Sequence, residues 1–227
     1  MAGGVRTMDD FDAGIAFIVE GHTERVFYSE YMRHLSESMR FEIEEVDSVD
    51  TEDYAIASHG RRVHLRINNV GSVSQIANAG VWFRRSCVAR EDIPWYVFLA
   101  YDTDSHSCPI SKFHEGDWVR LREDLSAAHD VVDLAAEADI EDVMLCDPRS
   151  VLAYLGLPEA TDIPKGGKGK SRMKRLYKSR CQFEPYQAGS RARGMIRALD
   201  FDHLEREAPI GLRRIREVLL ECLGPAA

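Results

Sequence analysis

Two stretches of the chain are apolar without interruption. Ile15-Ala16-Phe17-Ile18-Val19 and residues 95–101 are rich in branched and aromatic side chains, the pattern of strands buried on both faces of a mainly parallel sheet. Both stop abruptly at polar residues, Glu20-Gly21 after the first and Asp102-Thr103-Asp104-Ser105 after the second. From Thr23 the period changes: Phe27, Tyr31 and Leu35 fall at i, i+4 and i+8 and predict a helix of about three turns. Val63, Leu65 and Ile67 alternate with Arg62, His64 and Arg66, which predicts a half-exposed, peripheral strand, and Phe41 and Ile43 hint at another. Val73, Ile76, Gly80, Phe83 and Cys87 mark a second helix stopped before Pro94, and Trp118, Leu121, Leu125 and Ala128 a third. Residues 131–135 read as a short strand and residues 139–146 as helical. Strands alternating with helices predict an α/β fold, a three-layer sandwich around a mainly parallel central sheet.

Beyond residue 150 the pattern changes again. Residues 156–170 are rich in Gly, Pro and Lys and read as a flexible loop. Met195, Ile196 and Leu199 then mark one helix, and Leu212, Ile215, Leu219 and Leu223 mark the last, ended by Gly224-Pro225. At 227 residues the chain suits one α/β unit, residues 13–150, with a helical extension, residues 151–227. That extension buries too little alone to fold apart and is expected to pack on the same core.

Composition narrows the function classes. No run approaches the roughly 18 apolar residues of a membrane span, and the acidic start Met8-Asp9-Asp10-Phe11-Asp12 lacks a signal peptide's basic region. A cytoplasmic protein with no membrane partner is expected. The five cysteines, Cys87, Cys108, Cys146, Cys181 and Cys222, form neither a C-x-x-C knuckle nor a disulfide framework, so buried free thiols are expected. The net charge of −9 hides an asymmetry: residues 1–163 hold 14 bases and 31 acids, whereas residues 164–227 hold 15 and 7. An acidic body suited to metal is followed by a basic segment suited to phosphate.

In open α/β sheets, ligands bind outside the carboxyl ends of the central strands. Both apolar runs end there in acids: Glu20 on one, Asp102 and Asp104 on the other, with Glu24 one helical turn beyond Glu20. Crowded carboxylates raise one another's pKa and call for a cation. Oxygen-only donors favour Mg2+ or Mn2+.

The motif Val19-Glu20-Gly21-His22-Thr23-Glu24, followed by Tyr101-Asp102-Thr103-Asp104, resembles the Toprim fold of topoisomerases, bacterial primases and certain nucleases. With Val26-Phe27-Tyr28 after it, the first motif is most similar to the OLD-family nucleases and the RloB-type abortive-infection proteins. The segment from Asp139 to Asp147 resembles their further acidic motif. The resemblance implies that Glu20 acts as general acid/base or metal ligand, that Asp102 and Asp104 hold Mg2+, and that Glu24 and Glu141 complete a second metal position. One or two ions would then drive phosphodiester hydrolysis. Lys174 or Lys170 would neutralise transition-state charge, and the relatives imply phage defence.

The bland readings are a helix-terminal acid at Glu20 and turn chemistry at Asp102 and Asp104. The D-x-D pair also occurs in haloacid-dehalogenase-like phosphatases, but there on the first strand. Lys165, Lys168, Lys170, Arg172, Lys174, Arg175, Lys178 and Arg180 form a run with no acid, either a solvated face or a nucleic-acid interface. Tyr177, Phe183 and Tyr186 beside it suggest stacking on unpaired bases. Gly167-Lys168-Gly169-Lys170-Ser171 is not a nucleotide-binding loop, because Pro164 stands where that pattern needs glycine. Any ATPase would be a separate partner. His22 and His106 lie within the motifs, while His59, His64 and His114 lack metal-ligand spacing. A metal-dependent nuclease is the leading expectation. The alternatives are a non-catalytic nucleic-acid-binding or regulatory module and a primase-like nucleotidyl transferase; oligomeric state is left open.

Overall fold

Strand β1, Ala13–Val19, is buried along its whole length because it runs between two parallel neighbours, β4 (Arg61–Asn69) and β5 (Trp95–Asp102). The computed structural model describes residues 10–46, 52–71, 75, 78–103, 115–179 and 185–224. Strand β6 (Asp130–Ala136) lies parallel to β5, while β3 (Glu52–Ser58) and β2 (Glu42–Val46) extend the other side antiparallel. The order is β2-β3-β4-β1-β5-β6. The protein is thus α/β, with a mainly parallel sheet.

Alternation along β1 divides its side chains between two cores. Ile15, Phe17 and Val19 enter the larger one with helix α1 (His22–Met39), while Ala16 and Ile18 enter the smaller one with Phe83, Cys87, Leu121 and Leu125. The smaller core is covered by α2 (Ala79–Trp82), a π-helix (Phe83–Val88) and α3 (Glu115–Asp124). Gly14 is obligatory for this packing, since a Cβ there would lie 2.4 Å from the Trp95 ring. Helix α1 has 18 residues and is longer than its apolar spacing suggests; it ends where Arg40 turns left-handed.

β4 is not the half-exposed peripheral strand that its alternation predicts. It pairs on both edges, and its polar residues His64 and Arg66 are buried. Arg66 bonds Asp53 of β3 at 2.7 Å, and His64 lies 2.7 Å from Glu91. Arg66 also donates to the Ser86 carbonyl of the π-helix. The predicted second helix therefore changes pitch midway, and the strand's charges are neutralised by partners distant in sequence. Val73 and Ile76 lie outside the described residues.

Helices α4 (Ile140–Met144), α5 (Pro148–Leu155), α6 (Gly169–Ser179), α7 (Arg193–Arg197), α8 (Phe201–Glu207) and α9 (Leu212–Leu223) complete the larger core. Side chains from both sides of residue 150 enter it, including Phe27 and Met144 before it and Val151, Met173, Ile196 and Leu219 after it. Buried Glu30 of α1 holds Arg193 at 2.9 Å and Arg197 at 3.0 Å, which fastens α7 to α1. Cys87 and Cys222 are buried free thiols and Cys146 is partly buried and free; Cys108 and Cys181 lie outside the described residues. Of the three tryptophans Trp95 is buried and Trp82 half-buried. No described helix is long and apolar enough to cross a membrane.

Candidate metal and phosphate cleft

The carboxyl ends of β1, β5 and β6 open into a cleft of about 890 Å3. Glu20, directly after β1, donates its backbone N–H to the Ala100 carbonyl, and its carboxylate accepts from the Asp102 N–H at 3.1 Å. One side chain thus ties together the ends of the two central strands. Gly21 then starts α1 in extended backbone, and a Cβ there would lie 2.9 Å from a Glu24 carboxylate oxygen. Its absence leaves room for Glu24, which is buried in the first turn of α1.

Four of the five predicted metal ligands, Glu20, Glu24, Asp102 and Glu141, line this cleft together. Asp104, the fifth, lies outside the described residues, as do His106, Phe183 and Arg180. Asp102 Oδ1 is buried without a hydrogen-bond partner. Burial, then the charges of Glu24 and Glu20, push the Asp102 carboxyl up to about 9. Glu24 is pushed up to about 7, chiefly by burial, against a bond from its own backbone N–H; Glu141 and Glu20 add repulsion. Burial also raises Asp139 and Glu141, with Asp139 adding to the rise of Glu141.

Asp139 is a cleft residue that sequence reasoning did not single out. It caps α4 by accepting from Asp142 N–H at 3.0 Å, and its second oxygen accepts from Lys170 N–H at 3.0 Å. Asp142 accepts from Gly169 N–H at 2.9 Å and binds the Arg172 guanidinium at 2.6 Å. The start of α6 is therefore held on the start of α4 by two carboxylates. A Cβ at Gly169 would fall 2.1 Å from Asp142 N. The Asp-x-x-Asp spacing is the signal that could have revealed this capping pair.

This clamp divides the basic segment. Lys168, Lys170 and Lys174 line the same cleft as the acids. Lys170, Lys174 and Lys178 form an exposed i, i+4, i+8 stripe while Met173, Leu176 and Tyr177 are buried behind it. Lys165 and Lys178 are exposed away from the cleft lining. Arg172 is committed to Asp142 and to the Pro164 carbonyl at 3.0 Å, and Arg175 donates to the carbonyls of Lys165 and Gly166. These two arginines fasten the loop that composition alone marks as flexible.

Tyr177 and Tyr186 do not form a stacking platform for bases. Both are buried, edge to face at 5.3 Å, and the Tyr186 hydroxyl donates to Glu141 at 2.8 Å. His22 is exposed on the cleft rim, 3.2 Å from the Asn69 amide.

A donor set made only of carboxylate oxygens, one buried and unpaired, fits Mg2+ or Mn2+. Among the described residues, the three potential ligands that approach within 4.8 Å of one another lie elsewhere, at His34, Asp202 and Glu205. There Arg216 already bridges the acids, at 3.1 Å to Asp202 and 2.6 Å to Glu205. The described cleft carboxylates do not form such a group.

No family model matches the chain, and no curated protein does. Among solved structures, it is similar to the G domain of the T. maritima FeoB iron transporter at 14% identity, over 75% of this chain and 99% of that one, with a TM-score of 0.28. It is also similar to a Helicobacter pylori 5′-methylthioadenosine/S-adenosyl homocysteine nucleosidase at 9% identity, over 93% and 100%, with a TM-score of 0.32. Likenesses at this level carry no argument about fold or function.

Proposed function

We propose that the cleft hydrolyses phosphodiester bonds in nucleic acid with Mg2+ or Mn2+, as a nuclease of the Toprim kind. The observation that carries this reading is the buried, unpaired oxygen of Asp102 among Glu20, Glu24 and Glu141, with the amines of Lys170 and Lys174 lining the same cleft. The positions of Glu20 and Asp102 at the ends of adjacent parallel strands support the Toprim assignment. Asp102, Glu24 and Glu141 would hold the cation, whose charge polarises the phosphate and relieves repulsion among the acids. Glu20, oriented by the Asp102 N–H, would accept a proton from the attacking water. Lys170 and Lys174 would bind non-bridging phosphate oxygens and offset the charge that grows as the leaving oxygen departs. A role in phage defence, and a separate ATPase partner, are proposals resting on the sequence resemblance alone.

The test is cleavage of labelled plasmid, single-stranded DNA and total tRNA with Mg2+ or Mn2+, comparing the wild type with Asp102→Ala/Asp104→Ala and Glu20→Gln. Divalent-dependent cleavage is expected for the wild type, abolished in both variants while nucleic-acid binding persists. Failure to cut any of the three, or cleavage that survives both substitutions, would overturn the proposal.

A further inference from the structure

Tyr186 lies in the basic extension, 45 residues beyond Glu141, yet its hydroxyl donates to Glu141 Oε1 at 2.8 Å in a buried contact. Glu141 itself is 3% exposed and Tyr186 4%. That bond engages one carboxylate oxygen, and Glu141 lines the cleft together with Glu24, Asp102 and Asp139. The ring cannot swing away easily, because Tyr177 of α6 packs edge to face against it. Three residues further on, Gly189 N–H donates to the Thr23 hydroxyl at 3.0 Å, anchoring the same segment to the first turn of α1 beside Glu24.

We infer that Tyr186 is a positioning residue for the metal centre: its hydroxyl sets the orientation of Glu141, so the extension completes the cation site rather than only supplying positive charge. The inference rests on the proposed metal-dependent reading. Partners that hydrogen-bond a metal ligand fix its direction, and removing one typically weakens metal affinity about 10–100-fold. A purely structural tyrosine would change the melting temperature without changing the affinity of the folded protein.

The test uses the full chain and Mn2+ alone, with affinity read by calorimetry and by the loss of the free Mn2+ EPR signal. Wild type, Tyr186→Phe, Glu141→Gln and the double variant are compared, with melting temperatures measured alongside. Tyr186→Phe is expected to stay folded and to bind Mn2+ about 10-fold or more weakly. The double variant is expected to match Glu141→Gln alone, since the hydroxyl acts only through that carboxylate. Glu141→Gln also removes the charge that Tyr186→Phe would leave buried without its donor, so this comparison holds if the single Phe variant fails to fold. Wild-type affinity in Tyr186→Phe, or a further large loss in the double variant relative to Glu141→Gln, would overturn the inference and leave the metal reading standing. A wild type that binds no Mn2+ would overturn both.

Discussion

If the cleft acids await a cation, removing one of their charges should stabilise the cation-free protein. Glu24 is the informative position, because it is buried and its carboxyl is raised from 4.5 to about 7. At about 1.4 kcal/mol per decade, ionised Glu24 destabilises the fold by about 3 kcal/mol above pH 7. The sign follows from the raised value. Between pH 4.5 and about 7 the folded chain keeps a proton that the unfolded chain has lost, so stability falls across that window as pH rises. Glu24→Gln keeps the side chain's size and removes the charge. That destabilisation is already net of the backbone bond at the α1 N-terminus that favours the charge, so the relief dominates. At pH 8 in chelator, the variant should therefore be more stable by about 3 kcal/mol and melt about 6–12 °C higher. At pH 4.5 the difference should nearly vanish. Millimolar Mg2+ should raise the wild-type midpoint at pH 8 and narrow the gap, since binding to the folded state alone stabilises it. Calorimetric melts at both pH values, with chelator and with Mg2+, measure all of this. A Gln variant that melts below the wild type at pH 8 in chelator, or a gap indifferent to pH, would refute the reasoning.

Other outcomes follow from other parts of the structure. Gly169→Ala should destabilise the protein by about 1–3 kcal/mol in urea unfolding, because the new methyl group meets the Asp142 backbone and must move α6 off α4. Arg66→Met should lose about 3–5 kcal/mol by the same assay, as it removes the guanidinium that pairs with buried Asp53. His64 is raised, with burial opposing and its bonds to Asp53 and Glu91 prevailing. Its contribution is therefore full below about pH 6.5 and is lost as pH rises through the folded value, and His64→Gln should flatten that part of the stability profile. Lys170→Ala and Lys174→Ala should each reduce the slope of log affinity against log salt by about 0.7–0.9 in oligonucleotide binding; an unchanged slope would remove those lysines from the phosphate contact.

Much of the cleft's geometry was visible in sequence because its signal is local. An apolar run buried on both faces must end where polar residues begin, so Glu20 and Asp102 announce themselves as strand-end acids at the sheet's ligand-binding side. Glu24, one helical turn from Glu20, follows from helix geometry alone. Strand β3 was missed: Glu52-Asp53-Tyr54-Ala55-Ile56-Ala57-Ser58 has small apolar residues and buries a charged one, so no alternation marks it. β4 was legible as a strand but misplaced, because His64 and Arg66 look solvent-facing until Asp53 and Glu91 are brought to them.

The basic run shows the same division. Composition states that residues 165–180 are cationic, but which cations face the cleft depends on the register of α6. That register is set by Asp139 and Asp142 gripping its first backbone N–H groups. Tyr186 is the clearest case of information absent from local pattern, since an aromatic beside a basic stretch reads equally as core or as a base-stacking surface. By itself the sequence determined the α/β class, the two acid-bearing central strands and the charge asymmetry, because each depends on neighbours a few residues apart. Only the tertiary structure decided which acids share a cleft, which lysines face them and that Tyr186 reaches Glu141. Hydrogen bonds and burial join residues that periodicity cannot connect.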